Sequence, residues 1–251
     1  MDLKRLMMRF NNTRLVGKSL ICFVGTFRGF DATRESLIRH LIQPLNADVV
    51  VCMVSSPEPL ELLRRECASI GATVYDATYD SREQNYDLVF DRLSLELGVK
   101  PKWRERAEVA GNWLGGIGNR LGAGTHQLFN FWKLAQWLRM VRFDFDAYER
   151  VLVSRTDLRW LGNHPPLDLL QPQYLWTPSG EEYGGINDRH WVLPRGSEVT
   201  CLDALTPMLV GPFRHWKTHN LNRERFVAEH IRSVRVEARQ FPSIAYLSGE
   251  L

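Results

Sequence analysis

The chain has 251 residues, 44% hydrophobic and 24% charged, the make-up of a soluble globular domain long enough to bury a full core. Its formal net charge of +3 comes from scattered basic residues and argues against nucleic acid as a partner. No apolar run approaches the ~20 residues of a membrane span, which excludes an integral membrane class.

Met1 to Arg14 is basic, with Leu6, Met7, Met8 and Phe10, but lacks the apolar centre of a signal peptide. Residues 1–18 read as an N-terminal leader that packs, frays or touches a membrane surface peripherally. Ser19 to Gly25 is a continuous apolar run, expected of a strand buried on both faces. The loop Thr26-Phe27-Arg28-Gly29-Phe30 follows, and Asp31 or Thr33 is placed to cap a helix that Pro44 stops. Ala47 to Val54 is the second strand, and Pro57 and Pro59 open a helix that Gly71 ends. Thr73 to Tyr75 is a third strand, and Tyr86 to Leu97 a third helix. This β-α-β-α-β order predicts a Rossmann-like, mostly parallel central sheet flanked by helices.

The periodicity breaks from Lys100 to Thr125, a polar stretch with six glycines that reads as a mobile loop over a ligand. Gln127 to Val141 returns to a helix, with Leu128, Phe131, Leu134, Ala135 and Leu138 on one face. Arg150 to Ser154 is a strand, Tyr174 to Trp176 and His190 to Leu193 are short strands, and Val199 to Leu209 and Arg223 to Ser233 are helices. No linker divides the chain, so 19–251 reads as a single α/β domain. Its nucleotide-binding half spans about 19–160 and its acceptor and catalytic half about 161–251.

Two stretches carry the chemistry. Ser154-Arg155-Thr156-Asp157 leaves the carboxyl end of a buried strand, where open α/β sheets bind ligands. Asp157 there is a hard oxygen donor for Mg²⁺ or Mn²⁺, and Arg155 a planar fork for phosphate or carboxylate. A strand-end ion pair between the two is the structural alternative. About thirty residues on, Gly184-Gly185-Ile186-Asn187-Asp188-Arg189 offers glycines for close backbone approach, Asn187 to hold hydroxyls, and Asp188 to deprotonate an acceptor. A surface turn explains the same residues. Glu181 and Glu182 read as solvated. His190, His215, His219 and His230 have no metal-binding spacing, and Gly116-Ile117-Gly118 follows no strand, so neither a metal centre nor a dinucleotide fingerprint is inferred. Cys22, Cys52, Cys67 and Cys201 lack C-x-x-C spacing, which predicts reduced thiols and a cytoplasmic location.

In this order the features resemble the GT-A-type glycosyltransferases that build polysaccharides and other glycans. Ile21 to Arg28 is similar to their first strand and nucleotide loop. Tyr148 to Asp157 is similar to their approach to the metal site, with Arg-x-Asp where Asp-x-Asp is usual. Tyr183 to Arg189 resembles their Gly-Gly-x-Asn-Asp-Arg loop, and Asn222 to Phe226 their late Asn-x-Glu helix start. The resemblance covers about Ser19 to Arg235 outside the glycine-rich stretch.

It implies a GT-A-like fold and a nucleotide-sugar donor, with a glycan or other hydroxyl as acceptor. Thr26, Arg28 and Arg155 would face the nucleotide and diphosphate, with Asp157 at a Mn²⁺ or Mg²⁺ ion. Gly184, Gly185 and Asn187 would meet the sugar or acceptor, and Asp188 and Glu224 would be the catalytic carboxylates. The missing first Asp leaves Arg155 as an alternative to metal. A sugar nucleotidyltransferase, or a non-catalytic binding module with a decayed site, are the competing readings.

Overall fold

The computed structural model describes residues 17–98, 123–210 and 223–248. Nearly all of the leader, most of the glycine-rich stretch, Asn222, His215 and His219 lie outside the described residues.

Strands β1 (Ser19–Gly25), β2 (Ala47–Met53) and β3 (Val74–Asp76) alternate with helices α1 (Phe30–Leu37, continued by a π turn over Ile38–Ile42) and α2 (Pro57–Ser69). Then come α3 (Tyr86–Glu96), α4 (Ala123–Met140), β4 (Arg150–Ser154), β5 (Leu158–Trp160), β6 (Leu175–Pro178) and β7 (His190–Val192). The chain closes with α5 (Glu198–Leu202), α6 (Leu205–Val210), α7 (Arg223–Ser233), β8 (Ala238–Phe241) and β9 (Ala245–Leu247).

Seven strands form one sheet in the order β3-β2-β1-β4-β7-β6-β8, and β5 pairs with β9 in a separate ribbon. The first four strands are parallel, and β7 runs antiparallel to both β4 and β6. The apolar runs of β1 and β2 are explained by burial on both faces. Leu20, Cys22 and Val24 join one core with Leu128, Phe131, Leu134, Phe226 and Ile231. Ile21 and Phe23 join the other with Leu37, Leu41, Leu60, Leu63 and Trp160. Period-two alternation thus feeds two helix layers, as a sandwiched sheet requires.

Three differences from the expected elements have plain causes. Gly29, with φ 70°, stands at the N-cap of α1, with no side-chain cap from Asp31 or Thr33. Thr33 is buried inside the helix, and its hydroxyl donates to the Thr156 carbonyl at 2.5 Å. The expected helix from Val199 to Leu209 is split into α5 and α6, because Pro207 lacks the N–H that an unbroken helix would use. Strands β5, β8 and β9 were not expected, being only three or four residues long. Among the described residues no helix is long and apolar enough to cross a membrane.

Candidate active site

β1 leads to β2 and β3 on one side, and β4 lies on the other. The crevice beyond the carboxyl ends of β1 and β4 is therefore a topological switch point. Their register pairs Phe23 with Ser154, so the two loops leave the sheet side by side. The Thr156 hydroxyl donates to the Thr26 carbonyl at 2.8 Å and ties them together. Gly29 allows closer approach: a Cβ there would meet Ser248 Oγ at 2.5 Å and Asp157 Cβ at 3.2 Å.

Asp157 is the centre of this crevice. Arg155 grips it with Nε to Oδ1 at 2.9 Å and Nη2 to Oδ2 at 2.5 Å. Arg28 adds Nη2 to Oδ2 at 2.9 Å from the other loop. The side chain of Asp157 is 9% exposed and that of Arg155 18%, whereas Arg28 is 73% exposed. Burial alone would raise the Asp157 carboxyl, but Arg155 and then Arg28 outweigh it and hold it below the ordinary carboxylate range. Thr26, Arg28, Arg155 and Asp157 are thus brought together.

This arrangement fits a divalent ion poorly. Both Asp157 oxygens already accept from guanidinium groups, and a cation would have to displace them. Among the described residues no group of three or more His, Cys, Asp or Glu side chains is placed to hold a metal. What remains is a carboxylate that orients two arginines.

The second cluster adjoins the first because β7 begins where β4 ends. Arg155 N–H donates to the Arg189 carbonyl at 3.1 Å. Asp188 is buried and held by Arg223, with Nε to Oδ2 at 2.6 Å and Nη2 to Oδ1 at 3.2 Å. The shorter contact is an ion pair whose angle is wrong for a hydrogen bond, leaving the longer one as the directed bond. Arg223 Nη2 also donates to Glu224 Oε1 at 2.8 Å. Burial disfavours the Arg223 charge, but Asp188 and Glu224 reverse that and keep it firmly protonated.

The glycine pair has another use than the one expected. The space beside Gly185 is filled by the backbone of α7, and Ile186 N–H donates to the Glu224 carbonyl at 3.0 Å. Beside Gly184 lies the Arg225 guanidinium. The glycines let the loop dock on a helix start and do not border an open ligand space. The Asn187 amide is also engaged, donating to the Gly180 carbonyl at 2.7 Å and accepting from Arg189 N–H at 3.0 Å. Glu181 pairs with Arg189, and Glu182 accepts from Gly180 N–H at 2.5 Å and Gln240 Nε2 at 2.6 Å, so both acids brace the loop.

Against this geometry, no protein-family model matches the chain, and no curated protein matches it. Among solved structures, glycosyltransferases are found as distant neighbours. The apo form of mouse xyloside xylosyltransferase 1 is 12% identical with a TM-score of 0.42, over 90% of this chain and 84% of that one. The apo form of the glycosyltransferase GlyE of Streptococcus pneumoniae TIGR4 is 13% identical with a TM-score of 0.46, over 89% of this chain and 45% of that one. A glycosyltransferase involved in the glycosylation of the major capsid of PBCV-1 is 10% identical with a TM-score of 0.41, over 90% and 82%. Likeness at this level is too low to carry an activity across.

Other polar groups at this edge are absent from the sequence-based set. Gln127 and Asn130 are buried on the inner face of α4. Gln127 Nε2 donates to the Asp188 carbonyl at 3.4 Å, and Asn130 Oδ1 accepts from the Tyr79 hydroxyl at 2.8 Å. Two amides three residues apart on an otherwise apolar helix face were the available signal. Arg223 stands beside Glu224 in the sequence, but its pairing with Asp188, 35 residues away, forms only in three dimensions.

Behind the strand ends lies a buried pair, His164 and His190, with Nε2 to Nε2 at 3.1 Å. The Pro165 carbonyl can only accept, so His164 Nδ1–H donates to it at 2.7 Å and His164 Nε2 must accept from His190. His190 Nδ1 then accepts from Ser154 Oγ at 3.1 Å. Both rings are neutral in this chain. Burial pushes His164 down to about 4 and His190 well below its ordinary range. A histidine with a lowered folded value stabilises the fold fully above its unfolded value of about 6.5, and that contribution is lost as pH falls from there towards 4. Histidine NMR is expected to show neither ring titrating between pH 8 and 5. A midpoint near 6.5 for either would break the assigned chain.

Proposed function

We propose that the chain is a glycosyltransferase that moves a sugar from a nucleotide-sugar donor to a hydroxyl of a glycan or another acceptor. The observation that carries this reading is the Arg28–Asp157–Arg155 clamp at the switch point between β1 and β4. A nucleotide lying along the end of β1 would bring its diphosphate to the two guanidinium groups. Arg28, the exposed member, can turn onto a phosphate oxygen while Asp157 keeps Arg155 in place.

In transfer, the bond from the anomeric carbon to the diphosphate breaks and a bond from the acceptor oxygen forms. Negative charge grows on the leaving diphosphate, where fixed cations count most. The acceptor proton goes to a carboxylate, a role we assign to Asp188 if the reaction inverts. Arg223 binds Asp188 and Glu224 together, so it must shift on one of them before that carboxylate accepts a proton. The same pairing favours a second reading, a non-catalytic module that binds the nucleotide sugar. Release of free nucleoside diphosphate over time separates the two.

A divalent ion would supply added charge at the leaving group. The engaged oxygens of Asp157 support a donor site that works without one. In a thermal-shift panel of UDP-, GDP-, dTDP- and CMP-sugars, one donor at a hundred times its dissociation constant should add about 2.7 kcal/mol. The same shift is expected in EDTA. A shift that needs Mn²⁺ would return Asp157 to metal binding, and no shift with any donor would sink the transferase reading.

All four cysteines are free and buried, and burial pushes Cys52, Cys67 and Cys201 up to about 12. Such inert thiols support a cytoplasmic setting.

A further inference from the structure

Asn130, on the inner face of α4, is 7% exposed, and only one end of its amide is engaged. Burial raises the Tyr79 hydroxyl, which stays protonated and donates to Asn130 Oδ1 at 2.8 Å. Tyr79 thereby fixes which way the amide faces. The other end, Nδ2, has no hydrogen-bond partner among the described residues, yet the atom is not sealed in the interior. Buried amides normally pair both ends, so a fixed, open donor on a buried side chain is a mark of a ligand.

The open end faces the carboxyl edge of β1. A Cβ on Gly25 would find one atom within 4 Å beyond its chain neighbours, Asn130 Nδ2 at 3.9 Å. The Gly25 carbonyl accepts from Val54 N–H at 3.3 Å, and Val54 bridges to Tyr79. The ends of β1 and β2 and the segment after β3 thus meet at this amide, on the side of β1 away from β4. The arginine clamp lies on the β4 side, with Arg28 three residues beyond Gly25, at most about 11 Å of chain.

We propose that Asn130 is a specificity residue for the base of the donor nucleotide, its Nδ2–H donating to a carbonyl or ring nitrogen of that base. The proposal rests on reading the arginine clamp as the diphosphate site. Charge separates the two ends of the crevice. The clamp offers cations to phosphate, and Asn130 offers a neutral donor on the far side of the same loop. A nucleotide lying across the end of β1 reaches both. The bond from Tyr79 decides what the amide accepts as a partner. A base with its own donor in that place would leave both groups unpaired, which is how a fixed hydrogen bond rejects the wrong ligand.

The test is calorimetric binding of UDP, GDP, dTDP, CDP, ADP and inorganic pyrophosphate to wild type, Asn130→Leu and Asn130→Asp, with thermal scans to check that each folds. Asn130→Leu removes both ends of the amide. Asn130→Asp keeps an oxygen for Tyr79 and replaces only the donor, so it carries the test if the leucine variant does not fold. Wild type should prefer one base. That nucleotide should bind about tenfold more weakly to Asn130→Leu, while pyrophosphate binding holds. In Asn130→Asp the order of preference should change, towards bases that present a donor. A wild type that binds all five nucleotides equally would overturn the proposal, as would variants that keep the wild-type order. An equal loss for every nucleotide, or a loss shared by pyrophosphate, would overturn it too, since the amide would then act on ribose, phosphate or the fold. Failure of wild type to bind any of the five would remove the transferase reading itself, and the proposal with it.

Discussion

Asp157→Asn is expected to lower donor turnover by about 10²- to 10³-fold while the protein still folds, because the change is isosteric and removes one charge. The carboxylate accepts from Arg155 twice and from Arg28 once. Without its charge, the two guanidinium groups lose the anchor that aims them at the crevice. Nucleoside diphosphate release, beside a urea unfolding curve, measures both halves of the expectation. Turnover equal to wild type would remove Asp157 from the site. The stability comparison also has a sign with pH. The Asp157 carboxyl is held below its ordinary value, so its contribution is present above the unfolded value of about 3.9 and lost as pH falls through the folded one. The gap between wild type and variant should therefore be widest at neutral pH and close in acid.

Gly185→Ala is expected to be the most damaging single methyl group in the candidate site. A Cβ at this position would lie 2.0 Å from the Glu224 carbonyl carbon, 2.1 Å from its oxygen and 2.2 Å from Arg225 N. Carbon contacts are comfortable near 3.5–4.0 Å, and all three neighbours are backbone, which cannot rotate away. The loop and the start of α7 must part by more than an ångström, breaking the hydrogen bond from Ile186 to Glu224. We expect a loss of about 3 kcal/mol. Turnover should fall about 10²-fold beyond that, since Arg223 and Glu224 ride on the displaced helix end. A variant with wild-type stability and turnover would show that the loop does not dock on α7 as described.

Both variants probe a join that no local pattern encodes. The β1, β2 and β4 strands were legible from their apolar runs, since a strand buried on both faces has no polar side to interrupt it. So were α1 and α2, because Pro44 stops the first and Pro57, Pro59 and Gly71 bound the second. The β-α-β order places Arg28 and Asp157 at one sheet edge. Strands β5, β8 and β9 were not legible. Three or four residues are too few for alternation to show, and their pairing partners lie far off in sequence.

At the site the division has the same cause. Residue types and chain order determined which side chains stand at the carboxyl edge: Thr26, Arg28, Arg155, Asp157 and Asp188. They did not determine what each side chain touches. The sequence left Asp157 open to a metal or to an ion pair with Arg155, and only the structure brings Arg28, 129 residues away, onto the same oxygen as Arg155. Gly184 and Gly185 looked like room for a ligand until α7 was seen to fill it. Backbone course follows from short-range periodicity and burial, which the sequence carries locally. Ion pairing, close packing and an unmet donor depend on distances between segments far apart in the chain, and only the tertiary structure decides those.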